Sequence, residues 1–260
     1  MAITSALLVL TYVACPVRPP ELADGLTQAP LEATGLESLI REARSDLSPA
    51  QMATLATLED RLESQTEDEE QLDLLEQLAG EWYRAGQPAI SGIYARDIAE
   101  RRNDEASWSI AATTFSLCLR QEEAGTKAHQ FCGSAAERAY QNAISLAPEN
   151  VDHRINLALT YTESQQANPM RGILMLRDLV DQYPEEPRVY TTLAQLAINT
   201  GQLEKAAERF ETAAELAPND PDVFCPLARV HEELGNSEKS AIFAARCRTI
   251  LEQIEASGNN

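Results

Sequence analysis

The stretch PRVYTTLAQLAINTGQLEKAAERFETAAELAPND, Pro187 to Asp220, limits the fold more than any other part of the chain. It reads as two short amphipathic helices joined by a glycine turn: Tyr190-x-x-Leu193-Ala194-x-x-Ala197, then Gly201, then Ala206-x-x-x-Phe210, closed by Pro218. Moving forward 34 residues gives Phe224-x-x-Leu227-Ala228-x-x-His231, Gly235 and Ser240-x-x-x-Ala244 in phase. Moving back 36 gives Arg154-x-x-Leu157-Ala158-x-x-Tyr161, Gly172-x-x-x-Leu176 and Pro184, with two extra residues in the turn Gln165 to Asn168. A lone helix pair of this kind leaves its apolar face uncovered. Stacked pairs bury one continuous core.

From about Val151 to Glu255 this pattern resembles the tetratricopeptide-repeat (TPR) family. The resemblance implies an all-α fold, a right-handed superhelical solenoid of antiparallel helix pairs. Composition agrees, because 5% aromatics and scattered β-branched residues do not supply sheets. Two degraded units precede the clear ones within residues 67–150. The first is Leu75-x-x-Leu78-Ala79-x-x-Trp82, Gly86 and Ser91-x-x-x-Ala95. The second begins Trp108-x-x-Ala111-Ala112-x-x-Phe115, but its second helix is delayed to Ala136-x-x-x-Tyr140 and Pro148. Trp108 to Arg154 spans 46 residues, 12 more than the repeat, which predicts an insertion near residues 120–131. Three units then fill residues 151–257, and residues 258–260 form a tail expected to fray.

Upstream, residues 35–66 predict a helical hairpin. Its first helix carries Leu36, Leu39, Ile40, Ala43 and Leu47 at helical spacing, and the second Met52, Leu55, Leu58 and Leu62. Ser48-Pro49-Ala50-Gln51 and Thr66-Glu67-Asp68-Glu69 both have the form of a capping box. Residues 1–15 contain an uncharged apolar run, Ala2 to Ala14, ending at Cys15. That run has the size of a signal-peptide core and is shorter than a spanning helix. Ala14 before Cys15 resembles a bacterial lipobox, although Tyr12 replaces the usual Leu and no basic residue precedes the run. Lipidation at Cys15 and a membrane anchor are the leading readings of this segment, ahead of a plain buried helix. Residues 16–34, with Pro16, Pro19, Pro20 and Pro30, then read as a tether holding the repeats at the cell envelope, facing the periplasm.

Lys+Arg 21 against Asp+Glu 41 gives a net charge of −20, which disfavours nucleic acid and anionic membrane surfaces as partners and permits a basic or neutral protein. His129, His153 and His231 share no metal-ligand spacing, and no haem, nucleotide or nucleophile motif is present. A metal centre from Cys118, His129 and Cys132, or an enzyme built on the insertion, is the weakest functional reading. The sequence therefore predicts no catalytic site, no metal and no cofactor. Cys118 and Cys132 flank the insertion, while Cys225 and Cys247 fall in the two helices of the last pair. Two disulfides would suit an oxidising compartment, buried thiols would suit a reducing one, and Cys225 could instead face the groove.

The TPR resemblance implies a concave groove lined by the first helix of each unit. Carried over position by position, its partner-binding residues are Tyr83, Arg84, Ser109, Thr113, Ile155, Leu159, Thr162, Arg188, Thr191, Gln195, Asn199, Arg229 and Glu232. The clamp by which one TPR subclass holds a terminal carboxylate is missing, since its places carry Ile155, Leu159, Thr191, Gln195, Cys225 and Arg229. Arg188 and Arg229 remain able to meet acidic groups on a partner. The resemblance implies a non-catalytic interaction scaffold for a protein or peptide. A plan similar to the TPR subunits of c-type cytochrome maturation is the alternative.

Overall fold

The computed structural model describes residues 37–164 and 169–258, and among them it contains twelve α-helices and no strand. They are α1 (37–45), α2 (Pro49–Ser64), α3 (Asp68–Arg84), α4 (Pro88–Arg102), α5 (Glu105–Gln121), α6 (Lys127–Leu146), α7 (Val151–Glu163), α8 (Pro169–Gln182), α9 (Pro187–Asn199), α10 (Leu203–Leu216), α11 (Pro221–Glu233) and α12 (Ser237–Gly258). The proposed lipidation position Cys15, the anchor 1–15 and the tether 16–34 lie outside the described residues. No helix among the described residues is long and apolar enough to cross a membrane.

The chain divides into two compact units, Met1–Ala56 and Thr57–Asn260. In the first, the expected capping box at Ser48 is formed: Ser48 Oγ accepts from the Gln51 amide at 3.3 Å, and Gln51 Oε1 accepts from the Ser48 amide at 2.9 Å. Met52, expected in the buried stripe, is exposed. The second capping box does not form. Helix α3 starts at Asp68 with Glu67 as an N-cap that makes no side-chain bond, because the Gln65 carboxamide takes the amides of Thr66 and Glu67 instead.

In the second unit, helices pair α3 with α4, α5 with α6, α7 with α8, α9 with α10 and α11 with α12. This is an all-α solenoid of antiparallel helix pairs. Three of the turns are the same structure: Gly86, Gly201 and Gly235 have φ of 76°, 71° and 74°. At each, the glycine amide bonds three residues back and the following amide five back, the Schellman pattern that satisfies the last carbonyls of the first helix. Only glycine takes that φ at little cost.

The core is shared from pair to pair. Helix α7 gives Leu157 and Tyr161 to one apolar cluster, with Trp108, Phe115 and Tyr140, and gives Ile155 and Ala158 to the next, with Leu176, Leu179 and Leu193. Helix α9 likewise gives Val189 and Leu193 to that cluster and Ala194 and Ala197 to a third, around Phe210, Val223 and Leu227. A first helix therefore buries two faces, which is the physical basis of the repeat. Polar ties run the same way. The Tyr161 hydroxyl donates to Glu137 of α6 at 2.9 Å, and Arg171 of α8 lies 3.9 Å over its ring.

The twelve extra residues do not form a protruding loop. Helices α5 and α6 have 17 and 20 residues where α9 and α10 have 13 and 14. The turn between the long pair has five residues, 122–126, against three, 200–202. Those differences account for all twelve. Helices α7 and α8 keep lengths of 13 and 14, so the two extra residues of their unit lie between them, where 165–168 are outside the described residues. Helix α12 continues to Gly258, so Gly258 belongs to a helix and not to the tail.

Candidate functional site

A cleft of 1130 Å³ opens on α7 to α10. Its floor follows from the repeat. On α9, Arg188, Thr191, Gln195 and Asn199 are spaced by three and four residues and so share one face, opposite the buried Val189, Leu193 and Ala197. Helix α7 adds Leu159 and Thr162 from its own corresponding face. These six are the predicted groove residues that the structure brings together.

The other predicted positions do not join them. Ile155 is a correction: it is fully buried among Ala158, Leu176 and Leu179, because its side chain falls on the stripe that α7 turns to α8. Tyr83, Arg84, Ser109, Thr113, Arg229 and Glu232 lie outside this cleft. Tyr83 is exposed, Arg84 is paired with Glu81 at 2.6 Å, and Thr113 returns its hydroxyl to carbonyls of its own helix. Arg188, expected to meet a partner, already pairs with Asp152.

The second helices contribute residues that the sequence reading misses. Met170, Ile173 and Arg177 of α8 and Lys205, Arg209 and Phe210 of α10 also line the cleft, with Arg120 at the end of α5. The resemblance assigns only first helices to the groove, so nothing in it points to these. The cleft carries Arg120, Arg177, Arg188, Lys205 and Arg209 against Glu163 and Asp222. Arg209 donates Nη1–H to the Leu193 carbonyl at 2.8 Å, and burial, opposed by Glu208 and reinforced by Arg177, lowers its pKa. Burial raises the pKa of Glu163 despite Arg120 at 3.8 Å.

All three histidines are buried. His153 is buried against Glu105, and His231 lies 3.2 Å from Glu211 while stacking on Phe243 at 5.3 Å. His129 is buried beside the long hairpin's turn. Cys118 is bonded to Cys132 and Cys225 to Cys247, so neither pair offers thiolates to a metal and Cys225 is not a groove thiol. Among the described residues no group of three or more His, Cys, Asp or Glu is placed to hold a metal ion.

Residues 171–224 match the family model described as "Tetratricopeptide repeat". No curated protein matches the chain. Among solved structures, a Thermus thermophilus protein described as "a thermophilic TPR protein", TTC0263, is 18% identical, with a TM-score of 0.49, over 76% of this chain and 98% of its own. MamA from Desulfovibrio magneticus RS-1 is 16% identical, with a TM-score of 0.43, over 71% and 96%. YrrB, described as "a TPR protein with an unusual peptide-binding site", is 14% identical, with a TM-score of 0.40, over 74% and 91%.

Proposed function

We propose that this chain, a tetratricopeptide-repeat protein, is a non-catalytic interaction scaffold that takes an extended segment or a helix of a protein partner into the cleft over α7 to α10. The observation that carries this reading is the α9 face: four consecutive-turn side chains, Arg188, Thr191, Gln195 and Asn199, line a large open cleft instead of packing in the core. Side chains held by a rigid helix and left facing an open cleft suit recognition of a partner. The test is affinity capture with the full chain and with Gln195→Trp, which fills the cleft from an exposed position. Loss of the captured partner, at an unchanged melting temperature, supports the cleft. Equal capture by both forms would sink it.

The second part of the proposal is location at the bacterial cell envelope, with the repeats facing the periplasm. Two disulfides in one chain support an oxidising compartment, and the apolar run ending at Cys15 supports export. The mass of the intact protein extracted from membranes, beside a Cys15→Ala control, tests it. A chain beginning at Cys15 with acyl mass absent from the control is expected. An unprocessed chain without lipid would overturn the lipoprotein form of the proposal.

A further inference from the structure

The charge of the cleft opposes that of the whole molecule. Acidic residues outnumber Lys and Arg by 41 to 21 over the chain, yet the cleft presents five cations to two carboxylates. Two of the five are compensated, Arg120 by Glu163 and Arg188 by Asp152. Among the described residues none of Arg177, Lys205 and Arg209 forms an ion pair, although the Glu208 carboxylate acts on Arg209 from its own helix. Lys205 donates to the side-chain Oε1 of Gln202 at 2.7 Å, and Arg209 spends one N–H on the Leu193 backbone carbonyl. Neither partner carries charge. Like charges gathered in one cleft repel one another unless a ligand brings the opposite sign, and a recessed site focuses their field.

We infer that the segment bound in the cleft is acidic, with Asp or Glu side chains set against Arg177, Lys205 and Arg209 and interleaved apolar side chains set against Ile173 and Leu196. This rests on the cleft being the binding site, as proposed above. Both apolar residues are half-buried at the same cleft, so a purely hydrophilic polyanion would leave them uncovered. Nucleic acid suits the site poorly for a second reason. Its charge continues past the cleft onto a surface whose net charge is −20, whereas a short acidic segment ends with the cations.

The test uses the full chain and four fluorescein-labelled probes read by anisotropy. One is a peptide of about 12 residues, a length fit for a TPR-sized groove, with Asp and Glu alternating with Leu and Phe. The second is its Asn and Gln twin, the third its Lys twin and the fourth an oligothymidylate. The acidic peptide should bind at least about tenfold more tightly than the amide twin, as charge-assisted bonds require. The gap should narrow in high salt. In Arg177→Glu/Lys205→Glu it should vanish, and both positions are exposed, so melting temperature serves as the folding control. Equal binding of the amide twin, in a cleft that Gln195→Trp still blocks, would overturn the acidic partner and leave the cleft standing. Preference for the Lys twin or for oligothymidylate would likewise overturn it. Binding of the acidic peptide unchanged by the double reversal would overturn it too. If no probe binds, the cleft itself falls with it.

Discussion

The long hairpin α5–α6 and the hairpin α11–α12 are each closed by a disulfide, but at opposite ends. Cys118 lies in the last turn of α5 and Cys132 in the second turn of α6, so that bridge sits beside the inter-helix turn, with Cα atoms 5.9 Å apart. Cys225 lies in the second turn of α11 and Cys247 halfway along α12, so the other bridge joins the pair toward its open end, Cα atoms 5.1 Å apart. Between them, α7–α8 has no bridge. There Gly172 lets the helices approach until a Cβ at that position would lie 2.2 Å from the Ala158 carbonyl oxygen. The difference teaches where a repeat needs covalent help. Helices of 13 and 14 residues can be held along their length by close packing, while the longer α5 and α6 carry a covalent tie, Cys118–Cys132, beside the turn where they outrun that length.

If that is right, Cys118→Ala/Cys132→Ala should have the largest effect, about 4 kcal/mol in denaturant titration. About 3 kcal/mol comes from opening a loop of this size and the rest from the cavity left by two fully buried sulfurs. Gly172→Ala should follow at about 3 kcal/mol, since the atom it meets is backbone and cannot rotate away. Cys225→Ala/Cys247→Ala should cost about 2 kcal/mol. Its sequence separation of 22 against 14 changes the loop term little, because that term grows as a logarithm, and its cysteines are only half-buried. Hydrogen exchange should show the loss first in α11 and α12. A larger cost here than at Cys118–Cys132 would break the comparison.

Much of this arrangement is legible in the sequence, and the exceptions have physical causes. The phase of Leu193, Ala194, Gly201 and Phe210 with their counterparts carries the helix pairs, because apolar period and glycine turns are local signals. The count from Trp108 to Arg154 carries the existence of twelve extra residues but not their form. A helix three turns long can grow by a turn without changing its pattern, so the count alone does not tell a loop from the longer α5 and α6 that absorb the residues. At the cleft, Thr191, Gln195 and Asn199 are readable from the repeat. Arg177, Lys205 and Arg209 are not, since they meet only when the faces of α8 and α10 flank α9. Ile155 is misplaced by one helical face, which alignment by position alone does not resolve. The global charge of −20 also conceals a local cationic wall.

Two carboxylates extend the same comparison to electrostatics. Glu211 of α10 accepts from Lys239 of α12 at 2.6 Å and lies 3.2 Å from His231 of α11, so it ties the last described pair to its neighbour. The Lys239 bond holds its pKa below the usual glutamate value of 4.5. A depressed carboxylate stabilises the fold above its unfolded pKa, and the contribution is lost as pH falls through the folded value. Glu211→Gln should therefore destabilise at neutral pH by no more than about 0.5 kcal/mol, because the side chain is 39% exposed and screened. The deficit should disappear in acid. Calorimetry on both proteins at neutral and acidic pH checks it.

Glu163 should behave in the opposite sense. It ends α7 beside the long hairpin, where burial raises its pKa above 4.5 and Arg120 at 3.8 Å only partly restores the charge. A raised carboxyl is most favourable when protonated. Its contribution is complete below the unfolded pKa and is lost as pH rises through the folded value. Glu163→Gln keeps the neutral shape at every pH, so it should raise the melting temperature at neutral pH by about 1–2 °C. At acidic pH the two proteins should melt together. The same change removes one of the two carboxylates lining the cleft, so the acidic peptide should bind Glu163→Gln more tightly and the amide twin equally. A rise in stability without that gain in affinity would separate the packing of α7 from the charge of the cleft, and would place the bound carboxylates on the Arg177 side alone.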